Sequence, residues 1–207
     1  VYFTQLPSWN PPQSKPVEGP ESPWAVSRES MRKVSRDLYN TGMAVTIDTG
    51  DAIALHPKNK KPIGLRHAYL ALGKTYGLPI VHEGQVLAKH EAKDGKIILR
   101  FDSIGSGLVS ARKGKLDAFA LAGKDQVWHW ADAKIEKDSI VLSSSKVKVP
   151  VAARYAWAMN PSKRNLLYNK EGFPASPFRT DDWPLFDPQS ELIEVIKPAK
   201  PKGYQSK

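Results

Sequence analysis

The chain has 207 residues, of which 41% are hydrophobic and 25% are charged, and its formal net charge is +10. This length suits one domain or two small ones, and the composition is that of an ordinary globular protein with a core. Because the sequence contains no cysteine, disulfide bonds and thiolate metal sites are excluded. No apolar run approaches the roughly 20 residues needed to cross a bilayer, so we expect no membrane span.

The net charge of +10 makes nucleic-acid binding a candidate function, because basic patches bind phosphates. The lysines are, however, spread over predicted loops and turns. The sequence has neither a dense basic helix nor a basic strand with interleaved aromatic residues. A basic solvated surface explains the charge better than a phosphate-binding track, and we expect no nucleic-acid partner.

The first 78 residues are predicted to form a strand, a helix, a second strand and a second helix. Residues 1–6 have the character of a buried strand, and a proline-rich loop follows. Ser22 is a capping hydroxyl before Pro23, which predicts a helix from Pro23 to about residue 38. Residues 43–48 are apolar almost throughout, as in a strand covered on both faces. The apolar residues of the first helix recur at helical spacing: Trp24, Met31, Val34 and Leu38.

The second helix is predicted over residues 58–76, with Pro57 in its first turn, and Gly77 and Pro79 end it. One apolar stripe is spaced by four, three and four residues, as on a helix face that packs against a core: Leu65, Tyr69, Leu72 and Tyr76. The order of these elements is typical of part of a parallel α/β sheet. Two strands are too few for such a sheet, and a core-type strand at residue 1 needs neighbours. We therefore expect the chain to be a fragment of a longer protein.

A polar loop after the second predicted strand holds two carboxylates and an imidazole within nine residues: Asp48, Asp51 and His56. In open α/β sheets such loops line the ligand crevice. A histidine near an acid is half of a general-base device, and a nucleophile is the other half. A lone histidine after a strand is also common as a structural residue, and aspartates near a glycine are common loop formers. The spacing alone leaves both interpretations open.

From residue 79 the apolar period changes to that of strands. Ile97, Leu99 and Phe101 alternate after the pair Asp94-Gly95, which favours a hairpin. Further candidate strands are residues 119–121, 127–130, 140–142 and 151–157, with a turn at 137–138. Short strands at close spacing predict a small antiparallel β-sandwich-like region over residues 79–160.

Residues 161–207 carry proline, asparagine, lysine and aromatic residues without periodicity. We expect an extended segment that wraps back over the rest of the chain. A basic, loose tail is expected to follow, with Lys197, Lys200, Lys202 and Lys207.

No metal or cofactor site is predicted. His67 and His82 have no partners at ligand spacing. His90 stands beside Glu91 in a predicted strand, where neighbouring side chains point to opposite faces.

Trp128 and Trp130 flank His129 in a predicted strand, so both tryptophans are expected on one face. Such a pair can form a platform on which sugars stack, although a place in a sandwich core is the commoner role. The pair supports an alternative function, that of a non-catalytic carbohydrate-binding module.

The sequence shows no nucleophile in a suitable position. No serine in residues 1–78 occupies a strand-to-helix turn. Gly105-Ser106-Gly107 falls in a hairpin-like region and lacks the Gly-x-Ser-x-Gly pattern of a nucleophile elbow.

Several segments resemble the C-terminal portion of the sialate O-acetylesterases, members of the SGNH hydrolase group of flavodoxin-like α/β esterases. The resemblance covers nearly the whole chain to about residue 184, and its last segment is highly specific. The matching segments are 1–6 (VYFTQL), 41–51 (TGMAVTIDTGD), 55–60 (LHPKNK), 119–123 (FALAG), 130–134 (WADAK), 151–155 (VAARY) and 167–181 (LYNKEGFPASPFRTD).

The resemblance implies a domain organisation. Residues 1–78 are expected to be the C-terminal part of a flavodoxin-like SGNH sheet. Residues 79–160 form the antiparallel β domain, and residues 161–207 form the wrapping segment and tail.

The resemblance also implies a reaction, the removal of O-acetyl groups from sugars by a serine esterase, with a secreted or periplasmic location. His56 matches the general base that activates the serine. The family often places the acid that orients this histidine two or three residues earlier, where this chain has Ala54 and Ile53. Asp51 and then Asp48 are the nearest carboxylates, and a Ser-His dyad oriented by a backbone carbonyl is the alternative.

The family's serine and its oxyanion-hole glycine and asparagine belong to earlier blocks that this sequence lacks. We therefore expect the polypeptide alone to be inactive, because losing one oxyanion donor typically costs on the order of 10²–10³ in rate. The expected partners are an acetylated carbohydrate and the N-terminal portion of the same protein, which carries the serine. The resemblance does not choose between sialic acids and acetylated plant sugars such as xylan.

Overall fold

The computed structural model describes residues 1–17, 22–161 and 165–185. Two helices and a π-helical segment accompany many short strands, so the chain has a mixed α and β architecture. The elements are β1 (Tyr2–Thr4), β2 (Ser8–Trp9), α1 (Pro23–Asp37), β3 (Gly42–Ala44), β4 (Gly50–Asp51), α2 (Lys61–Leu70), the π-helical segment (Ala71–Thr75), β5 (Val86–Lys93), β6 (Lys96–Asp102), β7 (Leu108–Ser110), β8 (Phe119–Ala122), β9 (Trp128–Trp130), β10 (Asp132–Glu136), β11 (Ser139–Ser143), β12 (Ala152–Tyr155), β13 (Leu167–Asn169) and β14 (Phe178–Arg179).

Two short parallel strand pairs organise the first part of the chain. β1 pairs with β3, with Phe3 opposite Met43, and β2 pairs with β4, with Ser8 opposite Gly50. Both helices pack against β3. Among the described residues each of these sheets has two strands, so a larger flavodoxin-like sheet stays a prediction. No helix in the described part of the chain has the length and apolar character required to cross a membrane.

Helix α1 begins at Pro23 and ends at Asp37, which confirms the predicted helix. Its buried face is not the apolar set that the spacing indicates. Val34 and Leu38 are 42% and 57% exposed, and the fully or largely buried residues of the helix are Ala25, Arg28, Glu29 and Arg32. Two of the charged side chains have clear partners at this interface, since Arg28 binds carbonyl oxygens and Glu29 pairs with Arg179.

Arg28 gives the clearest case of such a buried charge. Its guanidinium is 0% exposed, and it donates hydrogen bonds to the carbonyl oxygens of Leu6, Pro7, Ala158 and Met159 at 2.9, 2.7, 2.6 and 3.0 Å. One side chain therefore joins the segment after β1 to the segment after β12. A buried charge is tolerated when hydrogen bonds replace its hydration.

The second predicted helix also exists, but its limits and its buried face differ from the prediction. Helix α2 begins at Lys61 with Pro62 in its first turn, so the prediction of Pro57 in that turn is wrong. The helix continues as a π-helical segment and ends before Gly77, which has φ +67°. The predicted apolar stripe is exposed: Leu65 48%, Tyr69 40%, Leu72 37% and Tyr76 72%. Arg66 and Leu70 face inward instead.

The second part of the chain contains two four-stranded sheets, with strand orders β10-β11-β6-β5 and β14-β12-β8-β9, antiparallel throughout. The predicted Asp94-Gly95 hairpin is confirmed, because both residues have positive φ between β5 and β6. Asparagine, aspartate and glycine reach such φ values at low cost. The predicted turn at 137–138 is also present, between β10 and β11.

One hydrophobic cluster joins the two sheets. Leu99 and Ile140 enter it from one sheet and Leu121 and Tyr155 from the other, and all four are 0% exposed. Apolar faces that share a buried cluster in this way are typical of sheets packed face to face. Ile47, from the first part of the chain, belongs to the same cluster. The predicted boundary at residue 78 therefore crosses a shared core, and the three-part division stays a prediction.

Residues 165–185 extend back over the β sheets. β13 pairs with β7, and β14 pairs with β12. Asp181 then forms hydrogen bonds of 2.8 and 2.7 Å with Arg154, in a pair whose side chains are 1% and 2% exposed. The predicted basic tail, with its four lysines, lies outside the described residues.

Candidate active-site loop

The polar loop singled out by the sequence has a tightly bonded base. Thr46 donates to the Gln5 carbonyl at 2.5 Å, and Ser8 donates to the Ile47 carbonyl at 2.6 Å. Thr49 closes the turn through its own amide and hydroxyl, which donate to the Thr46 carbonyl at 3.0 and 2.8 Å. These hydrogen bonds fix the direction in which the chain leaves β3.

Gly50 allows the loop to lie against β2. It has φ +80°, and a Cβ atom at this position would come within 2.0 Å of the Ser8 carbonyl oxygen. A glycine is therefore required for the parallel pairing of β2 with β4. This pairing carries the loop to Asp51.

Asp48 lies at the base of the loop and is held by partners from two distant elements. Arg66 of α2 donates to both carboxylate oxygens, from Nη1 to Oδ1 at 2.7 Å and from Nη2 to Oδ2 at 2.6 Å. Tyr168 of β13 donates its hydroxyl to Oδ2 at 2.8 Å. Arg66 also donates to the Val45 carbonyl at 2.7 Å. A bidentate arginine pair of this kind fixes a carboxylate strongly.

The neighbourhood of Asp48 shifts the titration of Tyr168. Burial is the main cause and the negative charge of Asp48 is the second, and both raise the pKa of the Tyr168 hydroxyl far above its ordinary value of 10.0. The phenol therefore stays protonated and remains a hydrogen-bond donor to Asp48 at physiological pH. Burial likewise raises the pKa of Tyr155, whose hydroxyl oxygen accepts the Leu167 amide at 3.0 Å.

Asp51 lies farther out, on an exposed stretch of the loop. Its Oδ1 accepts the amides of Ile53 and Ala54 at 2.8 and 2.6 Å. Aspartate commonly bonds the amides that follow it in this manner. The carboxylate thereby shapes the short path from β4 to His56.

His56 is exposed at the tip of the loop, and the buried Pro57 follows it. Within residues 1–17, 22–161 and 165–185, no hydrogen bond or ion pair involves the His56 side chain. An imidazole in this position is accessible to a proton donor that approaches from outside the described part of the chain.

A surface pocket of about 300 Å³ brings the two aspartates together. Its lining includes Asp48, Asp51, Lys58 and Asn59. His56 is not part of that lining, although its neighbour Pro57 is. The structure thus places the three predicted site residues on one loop, with the carboxylates in the pocket and the imidazole beside it.

The sequence patterns did not predict the partners of Asp48. Arg66 gave a weak signal, because a cation one turn into the helix after an acidic loop can reach back to it. Tyr168 gave none, since it is separated from Asp48 by 120 residues and joins it only through the pairing of β13 with β7. In the described part of the chain, no group of three or more acidic or histidine side chains could hold a metal ion.

No protein-family model matches the chain, and no curated protein matches it. Among solved structures, the chain is similar to the crystal structure of a novel carbohydrate acetylesterase from Xanthomonas citri, with a TM-score of 0.80 and 38% sequence identity. The similarity covers 88% of this chain and 41% of that protein. The chain therefore shares its fold with about two fifths of a carbohydrate acetylesterase.

Proposed function

We propose that the chain is part of a carbohydrate O-acetylesterase, a carboxylic ester hydrolase of the serine type. One observation carries the proposal, the 38% identity and TM-score of 0.80 to a carbohydrate acetylesterase across 88% of the chain. The resemblance of the sequence to sialate O-acetylesterases also supports the proposal, through motifs spread from residue 1 to residue 181. Both lines lead to the same bond, an acetyl ester on a sugar hydroxyl.

His56 is the general base in this proposal. Its imidazole takes the proton of a serine hydroxyl while the serine oxygen attacks the acetyl carbonyl carbon. The tetrahedral intermediate expels the sugar oxygen, which receives the proton back from His56. Water, activated by the same imidazole, then hydrolyses the acetyl-serine to acetate. The exposure of His56 supports this role, because the serine has to reach the imidazole from elsewhere.

Asp51 is the proposed acid that orients His56, and Asp48 is the alternative. Asp51 is nearer along the chain and lies on the exposed part of the loop with the histidine. Asp48 already accepts three hydrogen bonds from Arg66 and Tyr168, which suit an anchor for the loop. A Ser-His dyad without an acid is the third arrangement.

The nucleophilic serine is proposed to come from an N-terminal portion of the same protein, as part of a larger flavodoxin-like SGNH sheet. The acetylesterase from Xanthomonas citri is long enough for this, since the matched part is 41% of it. Two surfaces suit such a portion. The β1–β3 pair has two strands where a parallel α/β sheet usually has more. The exposed stripe formed by Leu65, Tyr69, Leu72 and Tyr76 is apolar.

Acetate release by a longer polypeptide, which adds an N-terminal portion with a serine nucleophile block to these 207 residues, tests the proposal. A 9-O-acetylated sialic acid and an acetylated xylan are the two substrates that separate the sialate-like assignment from the wider one. We expect acetate from at least one of them. If a folded protein released acetate from neither substrate, the proposed esterase activity would be refuted. A secreted or periplasmic location is part of the proposal, and fractionation of the source cells checks it.

A further inference from the structure

The two tryptophans of β9 have different environments, although the sequence predicts a joint platform. Trp128 is packed into the protein: the Arg154 guanidinium lies 4.5 Å from its ring centroid, and the Trp183 ring lies 5.5 Å away. Arg154 is in turn fixed by Asp181. The Trp128 indole is thus held in place by its neighbours and is half-buried, although part of it lines the same surface cavity as Trp130.

Trp130 is the residue of the pair that is open to solvent. Its side chain is 43% exposed, whereas its strand partner Ala120 is fully buried. Trp130 is one of several large apolar side chains exposed on the described surface, and its place beside a cavity, rather than its exposure, distinguishes it. Trp130 lies beside a surface cavity of about 380 Å³, whose other lining residues include Ser144, Ser145 and Lys146.

This cavity continues along the sheet. A second cavity, of about 590 Å³, is lined by Lys115, Lys134 and Ser143 among others, and Asp132 lines both. We call the two cavities together the β9–β10 groove. Its polar groups are hydroxyls, ammonium groups, the His129 imidazole and the Asp132 carboxylate, and Trp130 is its most exposed aromatic side chain.

We propose that the β9–β10 groove is an accessory site for an oligosaccharide or polysaccharide segment, with Trp130 stacked on the apolar C–H face of a pyranose ring. Sugars pair such a face with a rim of hydroxyls, which suits a groove with an exposed indole among serine, lysine and aspartate side chains. The ligand class rests on the proposed function, because an esterase acting on an acetylated polymer benefits from holding the polymer away from the reacting bond.

Nucleic acid is the competing ligand, because single strands also combine aromatic stacking with positive charge. Three lysines line the groove, but it is not a uniformly basic track. Lys115 forms an ion pair with Asp132, which reduces its positive charge toward a phosphate. The Asp132 carboxylate lies where the two cavities meet, and it would repel a phosphate backbone.

Affinity gel electrophoresis of the longer protein, through gels containing acetylated or deacetylated xylan, tests the site. We expect retardation of the wild type in at least one gel. We expect Trp130→Ala to weaken it about tenfold in dissociation constant and Trp130→Phe to restore part of it, as for one aromatic contact. Tyr39→Ala removes another exposed aromatic, 92% exposed, and should leave retardation unchanged.

The outcomes separate this site from the esterase. His56→Ala should retain full retardation, so loss of acetate release and loss of sugar binding report on different residues. If the gel retarded Trp130→Ala as strongly as the wild type, and its circular dichroism spectrum were unchanged, the proposal would be overturned. The proposal would also be overturned if neither xylan retarded the wild type, or if single-stranded DNA alone retarded it.

Discussion

Arg66 and Asp48 form a two-point ion pair, with Nη1–Oδ1 and Nη2–Oδ2 distances of 2.7 and 2.6 Å, at the base of the loop that carries His56. Their side chains are 9% and 18% exposed. The pair links helix α2 to the loop that follows β3, and Tyr168 extends the link to β13. The position of the loop therefore depends on three elements that are distant in the sequence.

Arg66→Ala should destabilise the protein, because it leaves a largely buried carboxylate with one fewer cation and two fewer hydrogen bonds. We expect a loss of about 3 kcal/mol in the free energy of unfolding, measured by urea denaturation. Arg36→Ala is the matched control, since the Arg36–Asp37 side chains are 59% and 56% exposed. It should change stability by about 0–1 kcal/mol. Equal effects of both substitutions would show that Arg66 does not anchor the loop.

Asp51→Asn should lower catalysis without unfolding the loop. The amide oxygen of asparagine can still accept the amides of Ile53 and Ala54, while the negative charge that would orient a protonated imidazole is lost. We expect kcat for acetate release to fall on the order of 10²-fold or more, with little change in Tm.

Asp48→Asn is the matched comparison for Asp51→Asn. It should reduce stability first, since Asp48 is bonded to Arg66 and Tyr168. The opposite pattern, a large kcat loss for Asp48→Asn and none for Asp51→Asn, would assign the acid to Asp48. Unchanged kcat in both variants would favour the Ser-His dyad.

Tyr168 should make stability fall at alkaline pH. Its folded-state pKa is raised above the ordinary value of 10.0, so its contribution is fully present below pH ~10 and is lost as pH rises toward the folded value. Between these pH values the unfolded state binds fewer protons than the folded state. Urea unfolding at pH 8 to 11 measures the slope. Tyr168→Phe should be less stable than wild type at pH 8, and its stability should fall less steeply above pH ~10. A variant slope equal to that of the wild type would contradict the assignment.

Arg154 and Asp181 should be strongly coupled, because both side chains are almost completely buried. Arg154→Ala removes one of the two arginines that bind Asp181, the other being Arg179, and also removes the cation–π contact with Trp128. We expect about 3–5 kcal/mol of destabilisation. A double-mutant cycle with Asp181→Ala isolates the pair. Lys115→Ala, from an ion pair whose side chains are 61% and 54% exposed, is the control and should cost about 0–1 kcal/mol. A coupling energy near zero would mean that the interaction between Arg154 and Asp181 contributes nothing to the free energy of unfolding.

Local patterns predicted the elements of this fold well. The Asp94-Gly95 hairpin and the start of α1 at Pro23 depend on the backbone preferences of adjacent residues, and both were predictable. The same holds for the buried alternation of Ile97 and Leu99. Helical spacing was less informative about burial. Leu65 and Tyr76 lie on the predicted stripe of α2, yet the inward face presents Arg66.

The sequence patterns could not predict contacts between residues that are distant in the chain. The bond between Tyr168 and Asp48 depends on how β13 pairs, and Arg28 is buried only because carbonyl groups from two distant segments meet around it. Trp128 and Trp130 share a strand pattern, but the Arg154 and Trp183 side chains decide which of them is covered. The roles of His56, Asp51 and Asp48 stay predictions from the resemblance, placed on one loop by the fold.

The rate of acetate release by His56→Ala in the longer protein tests most directly whether His56 is the general base of an acetylesterase. His90→Ala is the matched control, because His90 is an exposed histidine on β5, outside the loop. We expect His56→Ala to lose on the order of 10²–10⁴-fold in kcat with an unchanged Tm, and His90→Ala to retain the wild-type rate. If His56→Ala released acetate at the wild-type rate, His56 would not be the general base.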